Sequence, residues 1–328
     1  MSGETILVTG GAGYVGSHTA LTLAEAGHRV VVYDNLSNGL RAFAKFGDFE
    51  EGDIRDRTRL DAVIARWKPA AVIHFAALIE VGVSVKEPAS FWDVNVHGAL
   101  TVLEAMRAGG VNAFVFSSTC ATYGEPQRMP MDESHPQWPL SPYGWSKLAV
   151  ERVLHDYRAA YGLRATMLRY FNAAGAAPEH GLGERHNPET HAIPLALFTL
   201  LGRRQSFSIF GEDYDTRDGT CVRDYVHVLD LADAHLRAVR KLIDGDAGDA
   251  FNLGTGRGAT VKELLGAIET VTGRAAPATP AARRPGDSPA LVADARKAER
   301  LLGWVPQRGL DEIIASAWRW HSEIEPGL

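Results

Sequence analysis

One seven-residue run constrains this chain more than any other feature. Gly10-Gly11-Ala12-Gly13-Tyr14-Val15-Gly16 follows directly on Thr5 to Thr9, an apolar, β-branched stretch that reads as a buried strand. After it comes a helical stretch, Ser17 to Ala26, which stops at Gly27, a natural residue for closing a helix. A second buried strand, Arg29 to Tyr33, ends on Asp34. The result is β-α-β with a glycine turn at the first strand-to-helix junction, a unit that demands a parallel sheet and a crossover helix.

The alternation continues. Asp48 to Glu51 and Ala71 to Phe75 read as short strands around a helix at Thr58 to Trp67. A helix around Phe91 to Ala108 precedes a strand at Ala113 to Phe116, which runs into Ser117-Ser118-Thr119-Cys120. A helix from Pro142 to Tyr161 and a strand at Arg164 to Arg169 complete the set. The predicted fold is therefore α/β, a doubly wound parallel Rossmann sheet with a smaller α/β C-terminal substrate domain. The expected division is residues 1–172 for the first domain, with a returning segment near 225–253, and 173–328 for the second.

The later half is less regular. Gly175 to Thr190 reads as a long surface loop, followed by a helix at Ile193 to Gly202, a strand at Ser206 to Phe210, a helix at Leu231 to Ile243 and a strand at Ala250 to Leu253. Helices are predicted at Val261 to Thr272, Asp294 to Leu302 and Leu310 to Glu323. Between them Arg274 to Pro289 is proline-rich and carries paired arginines. Irregular charged loops on a rigid scaffold are where a substrate subsite is built.

Composition narrows the partners. With 34 Lys and Arg against 40 Asp and Glu, the net charge of −6 lacks the basic footprint of a nucleic-acid binder. No apolar run approaches the length of a membrane span, and the N-terminal residues have no basic and apolar leader pattern, so a soluble cytoplasmic protein is expected. Two cysteines in 328 residues cannot frame a disulfide scaffold, and no Cys or Cys/His spacing suggests zinc.

In the glycine run, Gly10, Gly13 and Gly16 form G-x-x-G-x-x-G. One glycine permits the tight turn, one lets backbone approach a pyrophosphate, one lets helix and strand close up, and the helix N-terminus faces the phosphates. Asp34 ends the second strand 18 residues past Gly16, placed to accept the ribose hydroxyls of NAD and to repel the 2′-phosphate of NADP. No arginine follows until Arg41, so the expected cofactor is NAD. Asp53 and Ile54 are candidates to frame the adenine, and Phe75-Ala76-Ala77 provides small residues where a cofactor passes the backbone.

Tyr143 and Lys147 stand at i and i+4, on one helix face, and Ser141 with Pro142 starts that helix. A tyrosine serves as a base only if its pKa falls toward neutrality, a shift of about 4 kcal/mol. A lysine charge some 6–7 Å away supplies roughly 2.5 kcal/mol at an effective dielectric of about 20. An oxidised nicotinamide and the helix terminus must supply the rest. Thr119, at the carboxyl end of a parallel strand where open α/β sheets place ligands, is the candidate hydroxyl bridging substrate and Tyr143.

With these motifs in view, the chain resembles the extended short-chain dehydrogenase/reductase family, and within it the UDP-glucose 4-epimerases. The matching segments run nearly end to end: VTGGAGYVGSHT, VYDNLSNG, GDIRD, HFAA, FSSTCATYG, SPYGWSK, RYFNAAGA, IFGEDYDTRDGTCVRDYVHV, FNLGTG and RRPGDSPALVAD. The resemblance implies reversible, NAD-dependent C4 epimerisation of UDP-galactose to UDP-glucose through a 4-keto sugar. It makes Tyr143 the base, Lys147 its electrostatic and ribose-binding partner, and Thr119 the catalytic hydroxyl. Around NAD it adds Tyr14, Val15, Asn35, Asn95, Ser117 and Tyr170. For the UDP-sugar it implies Asn172, Arg223 and Arg284 at the diphosphate, Asp287 at the uridine ribose, and Phe210, Gly211, Tyr225, His191 and Ala192 around the nucleotide. Gly254 and Gly286 fall in bordering loops. His191 and His227 are expected to be structural, the chemistry requires no metal, and relatives are usually homodimers.

Three other readings stay open at this level. A UDP-xylose/UDP-arabinose epimerase shares the FSSTCATYG form. A nucleotide-sugar 4,6-dehydratase needs an Asp-Glu pair where this chain has Cys120 and Ala121. A non-enzymatic NAD sensor needs neither Tyr143, Lys147 nor the arginines. Sugar scope turns on Leu291, which matches a bulky tyrosine in relatives restricted to plain hexoses and a small residue in those accepting N-acetyl sugars. Ile79 stands where some relatives place a lysine near the cofactor phosphates.

Overall fold

The computed structural model describes residues 3–284 and 287–327. Gly286 lies outside the described residues. The first half contains β1 (Thr5–Thr9), α1 (Tyr14–Glu25), β2 (Arg29–Asp34), β3 (Asp48–Glu51), α2 (Arg57–Trp67), β4 (Ala71–His74), α3 (Val81–Lys86) and α4 (Pro88–Phe91). It continues with α5 (Gly98–Ala108), β5 (Ala113–Thr119), α6 (Pro142–Tyr161) and β6 (Arg164–Tyr170). The second half holds β7 (Asn172–Ala174), α7 (Ala192–Leu200), β8 (Phe207–Phe210), β9 (Val222–Arg223), β10 (Tyr225–His227), α8 (Val228–Ile243) and β11 (Ala250–Leu253). It ends with β12 (Ala259–Thr260), α9 (Val261–Thr272), β13 (Ala278–Ala281), β14 (Ala290–Leu291), α10 (Arg296–Leu302) and α11 (Leu310–Arg319).

Seven strands form one parallel sheet in the order β11-β6-β5-β4-β1-β2-β3. Alternation along β1 shows why both faces are covered. Ile6 and Val8 join a core with Ala20 and Leu23 of α1, Leu231 and Val239 of α8 and Leu302 of α10. Leu7 points to the opposite core, with Leu60 and Ile64 of α2, Val102 of α5 and Leu154 of α6. Strand order reverses at β1, which lies between β2 and β4. That reversal opens a crevice at the carboxyl ends of the strands, the place where doubly wound sheets take ligands.

The remaining strands form small sheets, β10-β7, β12-β9-β14 and β13-β8, beside a separate core of Leu197, Phe207, Leu264, Ile268 and Ile314. Among the described residues, no helix is long and apolar enough to cross a membrane.

Several boundaries differ from the sequence reading. The first helix starts at Tyr14, not Ser17, with Gly13 as its extended N-cap, and the Ser17 hydroxyl donates back to the Tyr14 carbonyl at 3.0 Å. Hydrophobic periodicity cannot place that start, because of the first three helical residues only Val15 packs against the core, while Gly16 lies on the glycine turn and Tyr14 reaches Gly175. Segment 81–86 is helical although its valines alternate as in a strand; Val81, Val83 and Val85 are all exposed and Ser84 is the buried residue. Asp294 precedes α10 and accepts from the Arg296 amide, so it caps locally instead of opening the helix. The last helix leaves α geometry at Arg319 and continues as a wider turn over Trp320–Ile324.

Candidate active site

The glycine turn is held at the crevice by close backbone approach. Gly10 has φ +72°, and a Cβ there would stand 2.5 Å from the Ala76 amide nitrogen. A Cβ on Gly16 would stand 2.2 Å from the Gly10 carbonyl oxygen. Neither position accepts a side chain without moving backbone. The first turn of α1 carries no acidic residue and its N-cap has no side chain, so the positive helix end faces the crevice uncompensated. Tyr14 points its hydroxyl back to the Gly175 carbonyl at 2.6 Å.

Asp34 ends β2 with its carboxylate buried, accepting from the Ala12 amide at 3.0 Å and the Leu36 amide at 2.8 Å. Burial raises its pKa and the two amides oppose that shift. Next to it Asn35 donates to Asp53 at 2.9 Å, and Arg55 pairs with both Asp53 and Asp93. The arginine holds the Asp53 carboxyl well below the usual range. Ile54 is buried. Phe75 and Ala76 both donate amides to the Thr9 carbonyl, which sets their backbone against the glycine turn. Asn95 brackets the Leu78 backbone and donates to Ser146 at 3.0 Å, fastening the loop after Ala77 to α6.

The helix α6 begins as its capping residues dictate, with the Ser141 hydroxyl accepting from the Gly144 amide and Pro142 in the first turn. Gly144 is required by packing, since a Cβ would stand 2.6 Å from the Ala121 carbonyl oxygen. This contact brings the first turn of α6 against the end of β5, where the Thr119 hydroxyl accepts from the Ala121 amide. Burial pushes the Tyr143 phenol up, and the Thr119 hydroxyl beside it pulls the other way. Lys147 is buried, donates to the Ser117 carbonyl at 3.0 Å and is pushed down to about 7 by burial. Without further charge in the crevice, desolvation drives both groups toward their neutral forms. Ser117 and Tyr170 share a hydrogen bond of 2.6 Å.

Sequence reasoning missed the layer behind these groups. Glu151 accepts from Ser118, Gln137 and Arg169 and pairs with the Arg169 guanidinium at 2.6 Å, both side chains buried. Arg169 also donates to the Tyr123 hydroxyl, which donates to Asn252. The spacing was available in the sequence, because Tyr143, Lys147 and Glu151 are four residues apart on one helix face.

The second cluster is built around β9. Arg223 donates to the Ser288 carbonyl at 2.9 Å and stands 3.5 Å from the Asp287 carboxylate. Arg284 donates to the other Asp287 oxygen at 3.0 Å and lies over the Phe210 ring at 4.5 Å. The two arginines, Asp287 and Phe210 thus come together from three separate segments. Gly211, at φ +84°, turns the chain immediately after Phe210. Leu291 pairs with Arg223 across β14 and β9. Burial pushes the Cys120 thiol up to about 12 and Arg223 pulls it the other way; Cys120 and Leu291, the residue paired with Arg223, pack against one hydrophobic cluster, which links the arginines to the end of β5.

Asn172 and Tyr225 are paired on β7 and β10, and burial pushes the Tyr225 phenol up to about 12. Gly254 packs on Asp224 and Ala293. Asp224, which sequence reasoning passed over, is fully buried and accepts from Thr255, Gly256 and Ala293, tying two loops to the end of β9. His227 is buried and pushed down to about 3 by burial. His191 caps α7 ahead of Ala192 and faces Glu184 and Glu189.

Comparison with known proteins gives a consistent picture. Residues 6–254 match the model of the NAD dependent epimerase/dehydratase family. The chain is 63% identical to the UDP-glucose 4-epimerase of Rhizobium leguminosarum bv. trifolii, covering 98% of this chain and 99% of that protein. Among solved structures it is similar to the UDP-glucose 4-epimerase from Brucella ovis in complex with NAD, with a TM-score of 0.94, 49% identity and coverage of 96% and 97%. It is also similar to a UDP-glucose-4-epimerase from Stenotrophomonas maltophila with bound NAD and formylated UDP-arabinopyranose, with a TM-score of 0.96, 38% identity and coverage of 99% and 100%.

Proposed function

The chain belongs to the NAD dependent epimerase/dehydratase family, and from that premise we propose that it is a UDP-glucose 4-epimerase that interconverts UDP-galactose and UDP-glucose. The observation that carries this reading is the joining of two clusters, Tyr143, Lys147 and Thr119 at the strand ends and Arg223, Asp287 and Arg284 beyond them, through Cys120 and Leu291, which pack against one hydrophobic cluster.

The glycine cradle, the uncompensated α1 terminus and Asp34 fit NAD. When bound, NAD would supply a two-electron acceptor and donor for C4 of the sugar and, in its oxidised form, a positive charge. The chain's own residues handle the proton and the grip. Tyr143 takes the proton of the C4 hydroxyl and returns it after the sugar has turned over, while Thr119 holds the same oxygen in line. Lys147, carrying its charge in the loaded site, lowers the phenol pKa that burial raises. Arg223 and Arg284 hold the diphosphate with forked donors, and Asp287, which pairs them, turns to the uridine ribose. The grip resides in the nucleotide, so the sugar is free to present either face.

The same reading divides the chain at residue 172, with α8 and β11 returning to the large sheet, and describes a cytoplasmic homodimer. Light scattering on the purified chain tests the dimer. A dehydratase is disfavoured because the Cys120 thiol, pushed up to about 12, is no acid or base at neutral pH.

NMR of UDP-galactose incubated with the enzyme tests the assignment directly. UDP-glucose is expected to appear without accumulating NADH. Tyr143→Phe is expected to lower turnover at least about a thousandfold while keeping NAD and UDP bound; a variant retaining a tenth of wild-type turnover defeats the role given to Tyr143.

A further inference from the structure

Outside the crevice, four side chains from one short segment, Glu184, His186, Glu189 and His191, turn their donor atoms toward a common point, all within 4.8 Å of one another. His186 Nδ1 stands 3.4 Å from Glu184 Oε1 and 3.5 Å from Glu189 Oε2, and His191 Nδ1 stands 3.4 Å from Glu189 Oε1 and 2.5 Å from Glu184 Oε1. Both glutamate side chains are more than nine-tenths buried. Even so, Glu184 Oε1, Glu189 Oε2 and His186 Nδ1 have no aligned hydrogen-bond partner among the described residues. An ion-pair cluster would be expected to resolve into aligned hydrogen bonds of about 2.7–2.9 Å; three of these four separations are longer than that.

The spacing fits a different arrangement. Ligand atoms at about 2.0–2.1 Å from a tetrahedral zinc ion stand roughly 3.4 Å from each other. The two separations from His186 Nδ1, to Glu184 Oε1 and to Glu189 Oε2, match, and the short His191–Glu184 contact opens by a side-chain rotation. We propose that Glu184, His186, Glu189 and His191 bind one zinc-class divalent cation. Two carboxylates and two neutral imidazoles balance its charge.

The supporting contacts are those a metal site needs to orient its ligands. Glu189 Oε1 accepts from the Thr190 and His191 amides at 2.7 and 2.8 Å, which aims Oε2 inward. The Glu184 carbonyl accepts from the Trp320 indole at 2.8 Å. The His186 ring packs edge-on against Tyr14 of the glycine turn at 6.1 Å, and His191 caps α7. The ion would therefore clip the connection after β7 between the cofactor turn and α7. Its role is positioning, and it does not depend on the epimerase reading.

The test uses the full-length chain without an affinity tag, stripped by a chelator and returned to buffer. Zinc is titrated in competition with a chromophoric chelator, and cobalt is bound in parallel to read its coordination from the visible spectrum. One equivalent of zinc and a four-coordinate cobalt spectrum are expected, with affinity falling at least about a hundredfold in Glu184→Gln and in His186→Ala. Both variants are checked for folding by far-UV circular dichroism. Should either fail to fold, anomalous scattering at the zinc edge from wild-type crystals locates the ion at the four side chains or elsewhere. Less than a fifth of an equivalent bound, unchanged affinity in folded variants, a six-coordinate cobalt spectrum or an anomalous peak at another place overturns the proposal.

Discussion

Lys147 supplies the most direct quantitative check on the site's electrostatics. Its ammonium is held inside the protein against Ser117 and the Phe116 ring, and burial takes its pKa from an ordinary 10.5 down to about 7. A lysine whose folded pKa lies below its unfolded value costs stability wherever both states are charged, below about pH 7. The cost fades as pH rises from 7 toward 10.5, because the folded protein then buries a neutral amine while the unfolded chain still binds the proton. At about 1.4 kcal/mol per tenfold, the full cost is at most about 5 kcal/mol, and about 2 kcal/mol of it should return between pH 7 and 9. Lys147→Met keeps the volume and removes the titration. Urea unfolding of wild type and Lys147→Met, without cofactor, at pH 5, 7 and 9 isolates the effect, since every other group cancels in the difference. Wild type is expected to gain about 2 kcal/mol relative to the variant from pH 7 to 9 and to change little from 5 to 7. A difference constant within about 0.5 kcal/mol across all three pH values would refute the reasoning, because it would mean that Lys147 keeps the pKa of a solvated amine.

Other substitutions probe the surrounding layers. Glu151→Gln leaves the Arg169 guanidinium buried without its counter-charge and should cost about 3 to 5 kcal/mol in denaturant unfolding, whereas the double change Glu151→Leu with Arg169→Met should cost clearly less. Arg223→Met should raise KM for the UDP-sugar at least tenfold while NAD content of the purified enzyme stays unchanged; loss of NAD instead would move Arg223 out of the substrate site. Leu291 packs with Cys120 against the cluster of Tyr123, Met131 and Phe171. Leu291→Tyr should therefore lower kcat/KM for UDP-N-acetylgalactosamine relative to UDP-galactose by about tenfold, and an unchanged ratio would take Leu291 off the sugar wall.

What could be read from the sequence was what local chemistry enforces. The glycine turn, the β-α-β alternation, Asp34 at a strand end and the Tyr143/Lys147 pair each follow from backbone sterics and helical spacing among near neighbours in the chain. Ser141 and Pro142 mark the start of α6, and the helix begins there. Periodicity was silent or misleading where a segment's partner is distant. Val81 to Lys86 alternates like a strand yet is helical, and β9, β12 and β14 are two-residue strands that exist only because three loops meet.

By itself, then, the amino-acid order determined the scaffold and pointed to the proposed reacting groups, since these depend on residue type and near neighbours. Only the tertiary structure decided their electrical state and their company. It buried Lys147 and half-buried Tyr143 so that desolvation drives both toward neutrality. It set Arg223 and Arg284 on the two oxygens of Asp287, and it fastened Asn95 to Leu78 and Ser146. It turned Glu184, His186, Glu189 and His191 inward on one point. Charge and hydrogen-bond partners depend on what the rest of the chain excludes from water, and that is a property of the packed molecule rather than of any stretch of sequence.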